Sequence, residues 1–558
     1  MGSRVGHVLF AALVAACLAL VLPVSAQSPG PPAAISTADL RNWLSFIASD
    51  TAQGRQIFTE GAGVAAAYIA DELKALGVEP AGEDGTFFQT VKVLGVRNRG
   101  TSTVTVTVRG QTRTFRDGEG VRFQRNQGAK RTWSGEAEFV GYGLEFAPLN
   151  QHDYAGRDVN GKVAVFIGRS PQAFSEAQNQ VVFSRAGEAV DTRHAAAAIG
   201  PALQQAQNSQ PPAGGGRGAR PDFQTVQRLD TVRAPRLTAE DAFFEFLFSG
   251  SGYDYADLKG RAERREALPR VNLDGVRLRI DIEADYEVAQ TRLSRNIVAR
   301  VRGTDPQLRD TYLLYGAHYD HVGYAETTGG FVPDISNMCP GLQRPPPPPN
   351  DIIFNGADDD GSGTVTLLAL AKAYAQGPKP RRSVLFVWHT GEEAGLYGSQ
   401  YMADFPVVPM ETVAAQLNID MVGRNKCDSP AEANTLYLVG SDRISTELHQ
   451  INEQANRALM NPLTLDYTLN DPADLESLYT RSDHYSYAAK GVPIIFFTTG
   501  LHADYHAVTD EIGKIDFAKM ARIAQLVYDT GWRVANLDHV PVRDNRGPRA
   551  ITRAGTGR

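Results

Sequence analysis

Residues 383–399 read SVLFVWHTGEEAGLYGS. The run VLFVW is apolar without alternation, as in a strand buried on both faces of a sheet. It ends on a polar turn in which Glu392 stands beside Glu393. Most adjacent glutamates sit on solvated turns. Two carboxylates at the end of a buried strand are a different case, because they cannot both ionise in a low dielectric without cations nearby. What else reaches the same edge decides between the two.

Three more apolar runs have the same form: TYLLYGAH at 311–318, VAAQLNID at 413–420 and VPIIFFTT at 492–499. Helical stretches such as GTVTLLALAKAYAQ and ISTELHQINEQANRALM separate the runs. Strands alternating with helices predict an α/β fold with a largely parallel mixed sheet flanked by helices. Ligands of such sheets bind beyond the carboxyl ends of the strands. There the chain places His318, Asp320 and His321, then Asp358, Asp359 and Asp360, then Glu392 and Glu393, Asp420, and finally His502, Asp504 and His506. A lone histidine is more often an ordinary core or surface residue, but seven of the eleven lie between 318 and 506. Imidazole and carboxylate donors without cysteine suit catalytic zinc, with manganese or cobalt as substitutes. An EF-hand starting at Asp358 fails, since its twelfth position is Ala369 rather than a glutamate. There is neither an H-E-x-x-H helix nor a G-x-S-x-G elbow.

The series GAHYDH, NGADDDGSG, GEEAGLYGS, NIDMVG and DYHAVTD, in this order over about 290–535, resembles the co-catalytic zinc exopeptidases of metallopeptidase family twenty-eight. The resemblance implies two zinc ions: His318 and Asp420 hold one, Glu393 and His506 the other, and Asp359 bridges both. It implies that Asp320 hydrogen-bonds His318 and fixes its tautomer. It further implies that Glu392 serves as general base and then general acid, and that Tyr505 offers its hydroxyl to the developing oxyanion. Arg481 resembles a pocket-lining arginine. His321, His389, His484 and His502 match no ligand position and are expected to be structural. The glutamate pair then has two roles, Glu393 as ligand and Glu392 as catalyst.

The rest of the chain gives the setting. At 558 residues it exceeds one simple core, and a net charge of −7 argues against a nucleic-acid partner. Residues 1–26 read as a signal peptide, with Arg4 before an apolar run that ends in Val24, Ser25 and Ala26. A secreted or periplasmic location is expected, with lipoprotein anchoring at Cys17 the minor alternative. No other apolar run is long enough to span a membrane. Ser36 opens a capping box before Leu40, Trp43, Leu44 and Ile47 at helical spacing, and a second helix is expected over about 62–76. Residues 36–130, with a hairpin at about 103–124, are expected to form the N-terminal part of the main domain, and 291–538 the larger part with the metal site. Between them 131–290 resembles an inserted β-rich protease-associated domain, through EFVGYGLEF and DYAGRDVNGKVAVF. Residues 195–222 are low in complexity and expected to be disordered or a long loop, and the Arg-rich tail 541–558 to be disordered.

The implied activity is that of an aminopeptidase acting on peptides with a free N-terminus. A dipeptidase or glutamate-releasing carboxypeptidase is the alternative enzyme, although the latter carries a long helical domain after this core. A glutaminyl cyclase fits the inserted domain and the full ligand set less well. A non-catalytic receptor-like binding protein is the alternative of another class, and would have lost ligands that this chain keeps. The insertion between His318 and Asp359 is longer than a strand-to-helix turn needs, and five prolines at 345–349 favour an extended strut. Cys339 on that insertion and Cys427 just past Asp420 are the only cysteines after residue 26. A Cys339–Cys427 disulfide is expected to pin the insertion over the rim and narrow the site to short or unfolded peptide ends.

Overall fold

The computed structural model describes residues 35–544, apart from 125–126, 147–148, 175–178, 203–221, 226–228, 326–334, 336–338, 345 and 472–477. The expected signal peptide, most of the low-complexity segment and the tail from 545 lie outside the described residues.

Helix α1 (Thr37–Ile47) starts where its capping box predicts: Ser36 Oγ accepts the N–H of Asp39, and Leu40, Trp43, Leu44 and Ile47 are buried. Helix α2 (Glu60–Ala75) follows, capped by Thr59. The main sheet is carried by β1 (Phe88–Asn98), β2 (Tyr286–Val301), β3 (Tyr312–His318), β4 (Ser383–His389), β5 (Val413–Ile419), β6 (Thr435–Val439) and β7 (Ile494–Thr498). Three short pieces complete ten strands in the order 222–225, β1, β2, β4, β3, β5, β7, β6, 464–466, with 79–80 also paired to β2. The central strands β4, β3, β5 and β7 are parallel. The flanks add antiparallel pairs.

Every residue of β3, β4 and β5 is buried, which explains the absence of alternation. Phe386 and Trp388 face a core shared with α1, α2, α3 (Gly363–Gln376), α5 (Thr446–Ala458) and α6 (Phe517–Ala535). Leu385 and Val387 face the opposite way, into a second core with Met402 of α4 (Tyr397–Asp404) and Tyr487. Truncating one of these side chains to alanine costs about 2–5 kcal/mol.

Between β1 and β2 the chain forms a closed eight-stranded barrel from 103–108, 111–117, 120–122, 131–139, 163–165, 197–201, 236–239 and 276–282. Its limits differ from the expected 131–290. Alternation over 103–124 predicts a hairpin without saying which sheet it joins. Val104, Val106 and Val108 pack with Leu278 and Ile280 inside the barrel, so the inserted unit begins near 103. At the other end RLRIDIEADYEV divides between a barrel strand and β2, and position 290 falls inside β2. Residues 197–201 lie within the segment expected to be disordered or a loop, yet form a buried barrel strand. A Cβ at Gly200 would overlap the Phe166 ring, so the packing of this strand requires a glycine there.

Candidate metal centre

The four parallel strands end side by side. His318 is opposite His389 in the β3–β4 pair, and Ile419 is opposite Phe497 in the β5–β7 pair. His318 is therefore the last residue of β3, Glu392 and Glu393 sit on the turn after β4, and Asp420 follows β5. His506 lies on the loop after β7, and Asp359 on the turn before α3.

Of the three adjacent aspartates, only Asp359 faces these side chains. Asp360 Oδ2 accepts the N–H of His318 at 3.1 Å, and its Oδ1 accepts those of Gly363 and Met421 at 2.9 and 3.1 Å. Asp358 Oδ1 accepts the N–H of Gly423 at 2.6 Å, and its Oδ2 lies 3.2 Å from His502 Nε2. Asp510 accepts the N–H groups of Asp358 and Asp359 at 3.0 and 3.2 Å. The flanking carboxylates thus bind main chain and hold the ligand-bearing loops together.

Two groups of donors share Asp359: His318, Asp359 and Asp420 in one, His321, Asp359, Glu393 and His506 in the other. His318 Nε2 lies 3.4 Å from Asp359 Oδ1 and 3.6 Å from Asp420 Oδ1. His506 Nε2 lies 3.0 Å from both Asp359 Oδ2 and Glu393 Oε2. Asp359 Oδ2 and His506 Nε2 are buried, yet neither has an aligned hydrogen-bond partner. Buried lone pairs that converge without bonding are what a cation satisfies.

The electrostatics of the protein atoms agree. Burial acts to lower His318, but Asp420 and Asp359 outweigh it and raise the imidazole well above its ordinary value. His506 is raised likewise, burial being outweighed by Glu393 and the other acceptors around it. Burial would lift Asp359, yet the imidazoles of His318, His506 and His321 hold it well below the usual carboxylate range. Burial would also lift Glu393, but His506 and His321 hold it at about 2. Glu392 behaves differently: burial, reinforced by Glu393 and Asp420, raises it well above the usual value. One glutamate of the pair is thus held as an anion among imidazoles, and its neighbour is a base of raised proton affinity.

His318, Asp359, Glu392, Glu393 and Asp420 line one cleft together with Tyr505 and Arg481. The Tyr505 ring stacks on His506 at 4.0 Å, and Arg481 Nη2 lies 3.4 Å from its hydroxyl. Burial pushes that phenol up to about 12. Met421, Leu478, Phe496 and Leu501 form an apolar wall. Asp320 departs from expectation: its carboxylate is 3.8 Å from His318 Nδ1, which instead meets the main-chain carbonyl of Asp320 at 3.1 Å. The peptide group orients the imidazole, and the Asp320 carboxylate turns toward the β4 turn.

Two neighbours of the ligands escape the sequence reading. His321 Nδ1 bonds Glu393 Oε1 at 2.9 Å, and Ser482 Oγ donates to Asp420 Oδ2 at 2.7 Å. The doubled histidine of HYDH and the polar RSDH stretch are their only signals. His389, His484 and His502 are buried; the first two hydrogen-bond Tyr487 and the Tyr479 carbonyl, and His502 Nε2 lies 3.2 Å from Asp358 Oδ2. Cys339 and Cys427 are disulfide-bonded, with Cα atoms 5.3 Å apart. The strap they fasten reaches the site: Arg344 Nη1 donates to the carbonyl of Tyr505 at 2.8 Å, and Cys427 N–H to that of Leu501 at 2.7 Å. Prolines 346–349 of the strap are exposed.

Sheet and cluster together define an α/β domain with a histidine–carboxylate metal centre at its strand ends. Residues 296–531, the part of the chain that carries the cluster, match the family model described as peptidase family M28. A probable leucine aminopeptidase of Arthroderma otae is 32% identical over 190 residues, covering 32% of this chain and 48% of the relative. Leucine aminopeptidase 1 of Ajellomyces dermatitidis is 31% identical over 251 residues, covering 43% of this chain and 56% of the relative. The chain spans about half the length of the curated relatives it matches. Among solved structures, an aminopeptidase from Aneurinibacillus sp. strain AM-1 is 18% identical with a TM-score of 0.44, over 93% of this chain and 98% of that one.

Proposed function

We propose that this protein is a secreted or periplasmic zinc-dependent aminopeptidase that removes N-terminal residues from peptides. His318, Asp359 and Asp420 would hold one zinc ion, and Asp359, Glu393 and His506 a second. Zinc held there would supply Lewis acidity for the scissile carbonyl and lower the pKa of a water molecule. Glu392, which faces the cleft from outside both donor groups, takes the proton of the attacking water and passes it to the leaving amine. Tyr505 donates its hydroxyl to the developing oxyanion, with its ring held against His506. The Met421, Leu478, Phe496 and Leu501 wall receives an apolar side chain of the substrate.

One observation carries this reading: two donor groups share the Asp359 carboxylate, and a glutamate outside both, Glu392, faces the same cleft. The family match and the names of the curated relatives support it. The test is incubation of the purified protein with a peptide library, with and without chelator, followed by sequencing of both ends. Chelator-sensitive trimming from the N-terminus is expected. Trimming from the C-terminus, or trimming unaffected by chelator, would refute it.

A further inference from the structure

Arg55 lies on the turn between α1 and α2, outside the matched segment and far from the cluster in sequence. Its side chain is wholly buried. The guanidinium donates to peptide carbonyls: Nε to Tyr319 at 2.8 Å, Nη1 to Ile47 and Asn355 at 2.6 Å each, and Nη2 to Gly356 at 2.9 Å and Asp359 at 3.4 Å. The main chain of the same turn adds two bonds. The Arg55 carbonyl accepts the N–H of His321 at 3.2 Å, and the Gly54 carbonyl that of Gly323 at 3.0 Å. Gly54 has a φ of +63°, and a Cβ there would collide with the Gly323 main chain. The turn therefore grips two loops at once: one follows His318, and the other carries Asp359. Asp359 is not on a strand, so sheet pairing does not set its distance from His318.

We propose that Arg55 is a positioning residue of the metal centre: it fixes the main chain of Tyr319 against that of Asp359, and so sets the spacing between His318 and the shared carboxylate. The proposal rests on the metal reading of the cluster. A buried cation also repels a bound metal ion, so charge and geometry act in opposite directions here. Lysine keeps the charge but cannot replace the fork of donors, whereas glutamine removes the charge.

The experiment uses the metal-free full chain as wild type, Arg55→Lys and Arg55→Gln. Zinc affinity is measured by competition with a chromogenic chelator, alongside the rise in Tm on saturation with zinc. Both variants are expected to bind zinc about 10–100-fold more weakly, with a smaller zinc-dependent rise whatever their metal-free Tm. At saturating zinc, kcat falls while the peptide KM stays near wild type, because the cleft wall is untouched. A purely structural role would lower the metal-free Tm and leave the rise unchanged, which overturns the proposal. Tighter zinc binding by Arg55→Gln overturns it too, showing that charge outweighs geometry. Gly54→Ala shifts the same turn with the guanidinium intact; it is expected to weaken zinc binding likewise and decides the matter if Arg55→Gln does not fold. A wild-type protein that takes up no zinc would instead sink the metal reading itself.

Discussion

The main-chain N–H of Glu392 donates to Oδ1 of Asp320 at 3.1 Å. The bond runs from the turn after β4 to the residues just past β3, so the turn that presents Glu392 is tied to the loop that follows His318. Asp320 is completely buried, and burial lifts its carboxyl to about 7. Its contribution to the site is to hold the proposed base in place, while a peptide carbonyl orients the histidine.

Asp320→Asn keeps an oxygen that can accept the Glu392 N–H, and Asp320→Ala does not. The alanine variant is expected to lose about tenfold more kcat than the asparagine variant, with metal content similar in the two. Equal losses in kcat would show that the bond to Glu392 is immaterial.

Glu392→Gln is expected to retain metal and to lose turnover by about 10²–10⁴-fold, as for a missing proton shuttle. Glu393→Ala should lose metal as well as activity. Metal analysis of both proteins beside kcat separates base from ligand, and near-normal turnover in Glu392→Gln would contradict the assignment.

An aminopeptidase must seat a free ammonium among the carboxylates of the cleft. Acetylating the N-terminus of a good peptide substrate should abolish cleavage, and amidating its C-terminus should change the rate little. The reverse pattern, read from product masses, would favour a carboxypeptidase.

The disulfide spans 88 positions of the chain. Protein made without residues 1–26 should show no reactive thiol when denatured without reductant. Cys339→Ser should cost about 2–4 kcal/mol of stability and loosen the strap at Tyr505, raising activity on longer peptide ends relative to dipeptides. Two thiols per chain in the wild type would exclude the bridge.

His484 stacks on Phe496 and bonds the Tyr479 carbonyl, and burial lowers its pKa to about 3. The unfolded chain takes up that proton near the ordinary value of about 6.5, and the folded chain only near 3. Its contribution to stability is therefore fully present above pH 6.5 and falls at about 1.4 kcal/mol per unit as pH drops toward 3. Unfolding free energies of wild type and His484→Phe, compared between pH 6.5 and 4.5, should converge as the pH falls. Parallel curves would rule this out.

The strands and the order of the cluster were legible because His318 and Asp420 stand at the ends of unbroken apolar runs, where a parallel sheet concentrates ligands. Asp359 was legible only through the family resemblance, since nothing in three adjacent aspartates says which one leaves the main chain to its neighbours. Arg55 was not legible. In TAQGR it reads as a surface arginine, and its burial depends on carbonyls from segments distant in sequence. The start of the barrel was hidden because alternation looks the same whichever sheet a hairpin joins. The strand at 197–201 was hidden because a run of alanine and glycine carries no periodic signal.

β1 and β2 are hydrogen-bonded along their length, from Phe88 opposite Ile297 to Asn98 opposite Tyr286, although the whole barrel lies between them in the chain. Two strands so far apart meet slowly across an unstructured loop, because closing it costs entropy that grows with its length. The barrel has its own apolar core and pairs its first strand with its last, Thr103 opposite Asp281. Once it has closed, only two short connectors separate β1 from β2. The closed barrel thus brings the end of β1 and the start of β2 together as a turn would in a hairpin, shortening the loop that their pairing has to close.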